Sequence, residues 1–240
     1  MKKVLLLLII CVNANVFSQG YRSLDREIVE NGDLTKNEYW INLKTWVSNN
    51  FQTYERVVDM EDADAGTMIL KVSAGIPVET TIKRLGSCEY LLCFNIKVDC
   101  RDGRFRVTIS SVYSKIITSR APSSLSFYPT NTIKEFVDDG DRILKLSKKY
   151  FGNELTWNIN DAYFKALDET EDLVTKLEDD MSKINTNNRA GRREFDSKTM
   201  ELDKLKKDHK LLSDIYSMAH PILELFVVNL VDTIKIKDDF

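Results

Sequence analysis

The chain has 240 residues, of which 43% are hydrophobic and 30% are charged. This composition is ordinary for globular proteins and is enough for one large domain or two small ones. The formal net charge is −3 and the sequence has no basic stripe. Nucleic acid and anionic membranes are therefore disfavoured as partners, because phosphate binding relies on clustered Lys and Arg.

The N-terminal segment is typical of a secretory signal peptide. Lys2 and Lys3 precede an unbroken apolar run at residues 4–12, and polar residues follow. The run is too short to span a bilayer, which takes about 20 residues. We predict a signal peptide at residues 1–18, cleaved after Ser18, with Ala14 as the alternative. The mature protein is then expected in the periplasm or outside the cell, with no transmembrane span.

The next segment predicts a strand and a capped helix. Residues 26–30 form a short strand candidate, and Thr35 with Glu38 predicts a capping box. Apolar residues then recur at helical spacing, namely Tyr39, Trp40, Leu43, Trp46, Val47 and Phe51. This face could be an aromatic ligand site, but apolar periodicity normally signals burial. We interpret it as the packing of a helix against a sheet.

Four strand-like segments follow, at residues 55–60, 67–73, 89–98 and 104–113. The first two flank an acid-rich turn that ends at Gly66, and the last two flank Asp102-Gly103. Asp-Gly between alternating residues is a strong hairpin signal, because Gly accepts the positive φ that the turn requires. The sequence therefore predicts four antiparallel strands in two hairpins.

Three cysteines remain in the mature chain, Cys88, Cys93 and Cys100. An exported protein can hold disulfides, and three thiols allow one bridge and one leftover thiol without identifying the pair. Zinc fits poorly, because His209 and His220 are far away in the sequence. We interpret the cysteines as apolar thiols packed in or beside a strand.

A loop and a second helix follow the strands. Residues 121–130 are rich in Pro and Ser, which predicts a loop. Apolar spacing over residues 133–151 then predicts a helix, which Gly140 weakens by about 1 kcal/mol relative to Ala and could split in two.

Two stretches of this region resemble a known family. The first is residues 34–66, a capped tryptophan-bearing helix that runs into Val57-Val58-Asp59 and an acid-rich turn. The second is Phe94-Asn95-Ile96-Lys97-Val98 followed by Asp102-Gly103-Arg104-Phe105-Arg106.

Both stretches are similar to exported Bacteroidota proteins described only as a domain of unknown function with a TATA-binding-protein-like (TBP-like) fold. The resemblance covers roughly residues 25–120 and implies that fold and an envelope location. It supplies no catalytic residues, and the name of the fold does not imply DNA binding.

The C-terminal part predicts an antiparallel helical hairpin of coiled-coil type. The seam of the first helix is Tyr163, Leu167, Thr170, Val174, Leu177, Met181 and Ile184. The seam of the second helix is Phe195, Leu202, Leu205, Leu212, Tyr216 and Ala219. Such a hairpin could also join two copies of the chain as a homodimer.

Beyond the hairpin, His220 precedes Pro221, which predicts a kink or break. The apolar residues 222–231 then predict a buried helix docked onto the hairpin or the sheet. His209 lies on the seam and has two interpretations. It could be a switch that changes charge near its ordinary pKa of about 6.5, or an edge residue whose ring nitrogens face water.

Two acidic clusters superficially resemble calcium loops. They are Asp59, Glu61, Asp62 and Asp64 beside Gly66, and Asp138, Asp139 and Asp141 around Gly140. A calcium hand needs a bidentate Glu at its twelfth position. Counting from Asp59 or Asp62 puts Leu70 or Ser73 there, so a solvated turn is the simpler interpretation.

The sequence contains no nucleophile elbow, phosphate loop or His-Glu zinc motif. We therefore assign no catalytic, cofactor-binding or metal-binding residue and expect no cofactor. The predicted class is α+β: a signal peptide, a TBP-like antiparallel sheet with packed helices at residues 19–152, and a helical hairpin plus an apolar C-terminal helix at residues 158–240. The favoured function is a non-enzymatic binding or interaction module of the cell envelope. The alternative is an envelope hydrolase that uses acids in an inter-domain cleft.

Overall fold

A computed structural model describes residues 24–51, 53–82, 86–118, 135–137, 140–152 and 156–237. The predicted signal peptide, the predicted loop at 121–130 and the acids Asp138 and Asp139 lie outside the described residues. In chain order the elements are β1 (Arg26–Asn31), α1 (Lys36–Asn50), α2 (Tyr54–Val57), β2 (Val58–Asp62), β3 (Thr67–Ile82), β4 (Gly86–Arg101), β5 (Arg104–Thr118), β6 (Glu135–Val137), α3 (Gly140–Phe151), β7 (Thr156–Asn158), α4 (Asp161–Ser182) and α5 (Arg189–Ile234).

Three long antiparallel strands, β3, β4 and β5, form the middle of the sheet. We call the half of the sheet that contains the turn between β4 and β5 the first half. There β1 lies beside β5 and β2 lies beside β3, so that the strand order is β1-β5-β4-β3-β2. In the second half the same two edges carry short strands. There β7 pairs with β5 in antiparallel orientation and β6 pairs with β3 in parallel orientation.

A bulge in β5 separates the two halves. Ser111 has a φ of 57°, and the register of β5 against β4 shifts at this point. The amide of Val112 donates to Oδ1 of Asp25 at 3.2 Å, and its carbonyl accepts from the amide of Ile159 at 2.9 Å. The backbone groups that the bulge frees between β1 and β7 are therefore satisfied.

Helix α1 begins and packs as the sequence predicts. The amide of Glu38 donates to Oγ1 of Thr35 at 3.3 Å, and the amide of Thr35 donates to Oε2 of Glu38 at 2.7 Å, so the capping box is confirmed. All the aromatic and aliphatic residues of the predicted face are buried. They cover one face of the first half of the sheet, which confirms core packing rather than an exposed ligand site.

The last part of α5 covers the same face of the sheet. The ring of Phe226 contacts the rings of Trp46, Phe51 and Phe94 at centroid distances of 5.3, 5.8 and 5.7 Å. Nε1 of Trp46 also donates to Oδ1 of Asn229 at 2.7 Å. The predicted docking of an apolar C-terminal segment onto the sheet is therefore confirmed, and one hydrophobic core joins the sheet to the C-terminal helix.

Of the kink or break predicted at Pro221, the break is wrong, because α5 continues through this residue to Ile234, and the kink stays a prediction. The apolar C-terminal segment is thus the end of the second hairpin helix and not a separate helix. An internal proline costs about 3 kcal/mol, but Ala219 and Leu223 on either side are completely buried. Their packing against the core offsets the missing hydrogen bond.

By length and composition, α5 is apolar enough to cross a membrane, and it is the one described helix with this property. Its apolar residues Ile222, Phe226 and Leu230 are buried in the core with the sheet and α1. The apolar character is what a core helix requires, so it carries no separate argument for a membrane.

Helix α4 and the first part of α5 form the predicted antiparallel hairpin. Tyr163 and Leu167 are buried on its seam, and the hydroxyl of Tyr163 donates to the carbonyl of Leu212. Farther out, Lys206 pairs with Glu178 across the two helices at 2.6 Å. We call the outer part of the hairpin, residues 171–206, the arm, because most of its side chains are exposed.

Two local predictions are corrected. Residues 54–57 form the one-turn helix α2, so the strand predicted at 55–60 begins only at Val58. The helix predicted at 133–151 begins at Gly140, and residues 135–137 instead form β6 on the long strand β3. In the second case strand pairing overrides an apolar spacing that also fits a helix.

Gly66 offers a direct test of the turn that connects β2 to β3. It has a φ of +68°, and a Cβ atom there would lie 2.4 Å from the carbonyl oxygen of Cys100. Gly152 has a similar φ of +69°, but no atom of the described residues comes within 4 Å of such a Cβ. Both Gly→Ala changes share the left-handed backbone cost. We expect Gly66→Ala to lower the free energy of unfolding by about 1–3 kcal/mol more than Gly152→Ala, because only Gly66→Ala adds a clash. Urea unfolding of both variants measures the difference, and equal losses would contradict it.

Candidate functional site

In the first half of the sheet, none of the helices that the structure describes covers the face opposite α1 and α5. Side chains there alternate with the buried ones along each strand. We call this surface the open face, and its half-buried or exposed residues are Glu27, Val29, Thr67, Ile69, Lys71, Asn95, Lys97, Asp99, Arg106, Thr108 and Ser110. The surface is mainly polar, unlike the aromatic face on the other side.

Asp99 organises one end of the open face. Its Oδ1 accepts from Oγ1 of Thr67 at 2.8 Å and lies 3.1 Å from Nζ of Lys97. Its Oδ2 accepts from Nη2 and Nε of Arg106 at 2.9 and 3.2 Å. The carboxyl is only 13% exposed. Burial acts to raise the pKa of Asp99, but the hydrogen bonds from Arg106, Thr67 and Lys97 outweigh it and hold the pKa below its ordinary value. Asp99 is therefore a charged anchor for Arg106 and not a proton donor at neutral pH.

Two further arginines flank the adjacent turn. Arg101 and Arg104 are cross-strand partners on β4 and β5, and both are exposed. Neither side chain makes a hydrogen bond or an ion pair with any residue that the structure describes. Together with Arg106 they line a depression of about 210 Å³ on the surface, whose other lining residues are Val29, Asp99 and Phe105.

The turn that carries these arginines is fixed to the start of α1. Oδ1 of Asp102 accepts from the amide of Lys36 at 2.7 Å. The amide of Gly103 donates to the carbonyl of Leu34 at 2.9 Å, and its carbonyl accepts from the amide of Gly32 at 3.0 Å. The φ of +73° at Gly103 confirms the predicted Asp-Gly turn. The two arginines are therefore presented from a rigid backbone.

The acids of the calcium-like cluster have separate partners. Asp59 pairs with Lys71 at 2.6 Å, and Oδ1 of Asp62 accepts from the amide of Ala65 at 2.9 Å. Glu61 accepts from Nζ of Lys44 at 2.9 Å and from the hydroxyl of Tyr54 at 2.7 Å, and these two hydrogen bonds lower its pKa. The residues that the structure describes contain no group of three His, Cys, Asp or Glu side chains arranged to hold a metal ion.

Three cysteines of the described residues are buried thiols on one strand. Cys88, Cys93 and Cys100 all lie on β4. At about 3.3 Å per residue, no two of them approach the Cα separation of about 4.4–6.8 Å that a disulfide needs. Burial raises the pKa of Cys100 to about 12, and the charge of Asp99 adds to the effect. Burial also raises the pKa of Cys88. These thiols are packing residues, as the sequence predicts.

The junction between the sheet and the helices is the other place to search. Asp208 of α5 is buried and pairs with Arg142 of α3, whose guanidinium also donates to the carbonyl of Lys204. Nδ1 of His209 lies 3.1 Å from Oγ1 of Thr170. The Thr170 hydroxyl already donates to the carbonyl of Leu167, so the imidazole is the donor in this contact. His209 is thus a tethered seam residue, and its role as a switch stays untested.

The arginine-lined depression was not identified from the sequence, although the signal exists. Alternation along β5 places Arg104 and Arg106 on one face, opposite Phe105 and Val107. A two-residue Asp-Gly turn also fixes the register, so that Arg101 and Arg104 lie opposite each other. The absence of a basic stripe in the linear sequence concealed the cluster, because a hairpin brings its members together.

Comparison with known proteins supports the predicted fold. Residues 26–115 match the model of a family described as a domain of unknown function (DUF4468) with TBP-like fold. No curated protein matches the chain.

Two crystal structures of Bacteroidales proteins are similar to the chain. A TBP-like protein from Parabacteroides distasonis ATCC 8503 is 9% identical with a TM-score of 0.32, over 43% of this chain and 73% of that one. A DUF4468 family protein from Bacteroides ovatus ATCC 8483 is 13% identical with a TM-score of 0.30, over 39% of this chain and 56% of that one. Residues 26–115, which include the open face, are therefore similar to a domain of unknown function with TBP-like fold, the fold that the sequence predicts.

Proposed function

We propose that the protein is a non-enzymatic binding module of the cell envelope, and that the open face of the first half of the sheet is its binding surface. The observation that carries the proposal is a depression on this face lined by Arg101 and Arg104, two arginines whose side chains have no partner among the described residues. Among the described residues, the other face is covered by α1 and α5 and its side chains are buried in the core. Export is supported by the predicted signal peptide at residues 1–18.

The charges of this region favour binding over acid–base catalysis. A general acid at neutral pH needs a raised carboxyl pKa. Hydrogen bonds to cations or hydroxyls instead lower the pKa of Asp99 and of Glu61. The hydrolase alternative would need acids at the junction of sheet and helices, where Asp208 is neutralised by Arg142. That alternative therefore stays a hypothesis from the sequence.

Site-specific photocrosslinking tests the proposed surface. A photoreactive benzoylphenylalanine replaces Thr108 on the open face or, as the control, Asp196 on the exposed arm. We expect the Thr108 position to form a discrete adduct with an envelope component, and an excess of unlabelled wild-type protein should suppress it. An adduct from Asp196 alone would contradict the proposal. The mass of the secreted protein tests export in the same cells, because cleavage after Ser18 removes residues 1–18.

Self-association through the arm is a separate proposal that the sequence raised. Its apolar residues Leu173 and Met200 are exposed. Sedimentation velocity of the mature protein measures its oligomeric state, and a monomer at high concentration would exclude a homodimer of this kind.

A further inference from the structure

We infer that the depression lined by Arg101, Arg104 and Arg106 binds the carboxylate of an acidic peptide segment, a partner class that narrows the proposed function and rests on it. Arg101 and Arg104 are cross-strand partners, both are exposed, and both line the depression. A guanidinium presents a planar fork of donors that matches a carboxylate, often through two parallel hydrogen bonds. Two such forks at one small depression form a receptor for carboxylate groups.

No acidic side chain of the described residues forms an ion pair with Arg101 or Arg104 and balances their charges. Arg101 and Arg104 are directly opposite each other across the hairpin, where like charges are destabilising. Two acids close to these arginines in the sequence have other partners. Asp99 accepts from Arg106, and Asp102 accepts from the amide of Lys36. An external anion would relieve the repulsion that the fold leaves in place.

Arg106 and Val29 add a charge-balanced guanidinium and an exposed apolar side chain to the same depression. Arg106 is held by Asp99 on one side and lies 3.7 Å from Glu27 on the other, so it has a fixed position and most of its charge is balanced. Val29 of the edge strand β1 is 53% exposed and lines the same depression. The site thus offers cations beside an apolar contact, which suits a carboxylate on an aliphatic stem.

The surrounding charge favours an acidic peptide over a nucleic acid. The turn after β2, at the same end of the sheet, carries Asp62 and Asp64, and Glu27 lies beside Arg106. A polyanion with a charge at every nucleotide needs many phosphate contacts and would meet these acids. One or two carboxylates of a peptide can reach the arginines without approaching them.

Binding of a defined peptide tests the inference. The probe is a fluorescein-labelled hexapeptide of alternating glutamate and valine, and its glutamine–valine counterpart is the neutral comparison. Fluorescence anisotropy of the mature protein at about 50 mM salt gives the affinities. We expect the wild-type protein to bind the glutamate peptide more tightly than the glutamine peptide. The double variant R101Q/R104Q should bind the glutamate peptide about tenfold more weakly or worse, since two charge-assisted contacts are lost.

R189Q/R193Q is the matched control, because Arg189 and Arg193 are exposed at the start of α5 and their side chains have no partner among the described residues. It should change the affinity less than about twofold.

Three outcomes would overturn the inference: equal affinity for the two peptides, an equal loss in both double variants, or tighter arginine-dependent binding of an oligothymidylate. Thermal unfolding separates a folding defect from a binding defect. R101Q/R104Q relieves a like-charge pair, so its Tm should not fall, and a marked fall would show that the arginines are structural. The crosslink from position 108 distinguishes the two proposals: if it persists while the glutamate peptide fails to bind, the open face is a binding surface for another ligand class.

Discussion

Replacing Phe226 with alanine should lower the free energy of unfolding by about 3–5 kcal/mol, the range for removing a buried aromatic ring. The side chain is 2% exposed and contacts the rings of Trp46, Phe51 and Phe94. It therefore connects three elements, α1, β4 and α5, at the centre of the covered face. Loss of the ring leaves a cavity at the point where the C-terminal helix meets the domain that matches the family.

Phe195→Ala is the matched control for this prediction. Phe195 lies on the arm, is 36% exposed and has no ring contact within the described part of the chain. The same chemical change there should cost no more than about 0.5–1 kcal/mol. Urea unfolding followed by circular dichroism measures both variants. If Phe226→Ala does not fold, Phe226→Leu, which keeps most of the volume, should cost less than about 1.5 kcal/mol. Similar losses at positions 226 and 195 would show that α5 is not part of the core.

The dependence of the sheet on α5 changes how the family match is interpreted. Residues 26–115 supply the five strands of the first half and α1, but the aromatic rings of Trp46 and Phe94 are covered by a helix more than a hundred residues further along the chain. The open face is held by the register of β3, β4 and β5. That register is in turn stabilised by burial on the other side. The geometry of the arginines therefore depends on the C-terminal half as well.

The sequence predicts the local features well, because each rests on short-range physics. The capping box at Thr35, the apolar face of α1 and the Asp102-Gly103 turn depend on neighbours within a few residues. The partner of the apolar segment at 222–231 could be narrowed only to the hairpin or the sheet, because periodicity shows that a face is buried but not against what. The proline rule failed at Pro221 because tertiary packing at Ala219 and Leu223 outweighs one lost hydrogen bond.

The candidate site shows the same limit. The alternation of β5 and the register of its turn are enough to place Arg101, Arg104 and Arg106 together. Whether a basic residue is already paired depends on contacts across strands. The Arg106 guanidinium donates to Asp99, whereas the side chains of Arg101 and Arg104 have no partner among the described residues. The sequence alone does not distinguish the three arginines in this respect.

Asp208→Ala should lower the free energy of unfolding by about 3–5 kcal/mol, because it removes the buried carboxylate that pairs with the Arg142 guanidinium. The side chains of Arg142 and Asp208 are 18% and 8% exposed, and their ion pair joins α3 to α5. The exposed pair of Lys206 and Glu178, with exposures of 50% and 49%, provides the control. Glu178→Ala should cost no more than about 1 kcal/mol. Urea unfolding at neutral pH measures both variants, and equal losses would contradict the distinction.

A double variant separates the charge from the packing. In R142M/D208L both charges are replaced by apolar side chains, and such replacements of buried pairs are often neutral or stabilising. We expect the double variant to be more stable than Asp208→Ala, so that the two changes are strongly non-additive. If the double variant instead loses as much free energy of unfolding as the two single variants together, the pair acts only through the shape of the site. A recovery would mean that the ion pair fixes how α3 meets α5 and contributes little net stability.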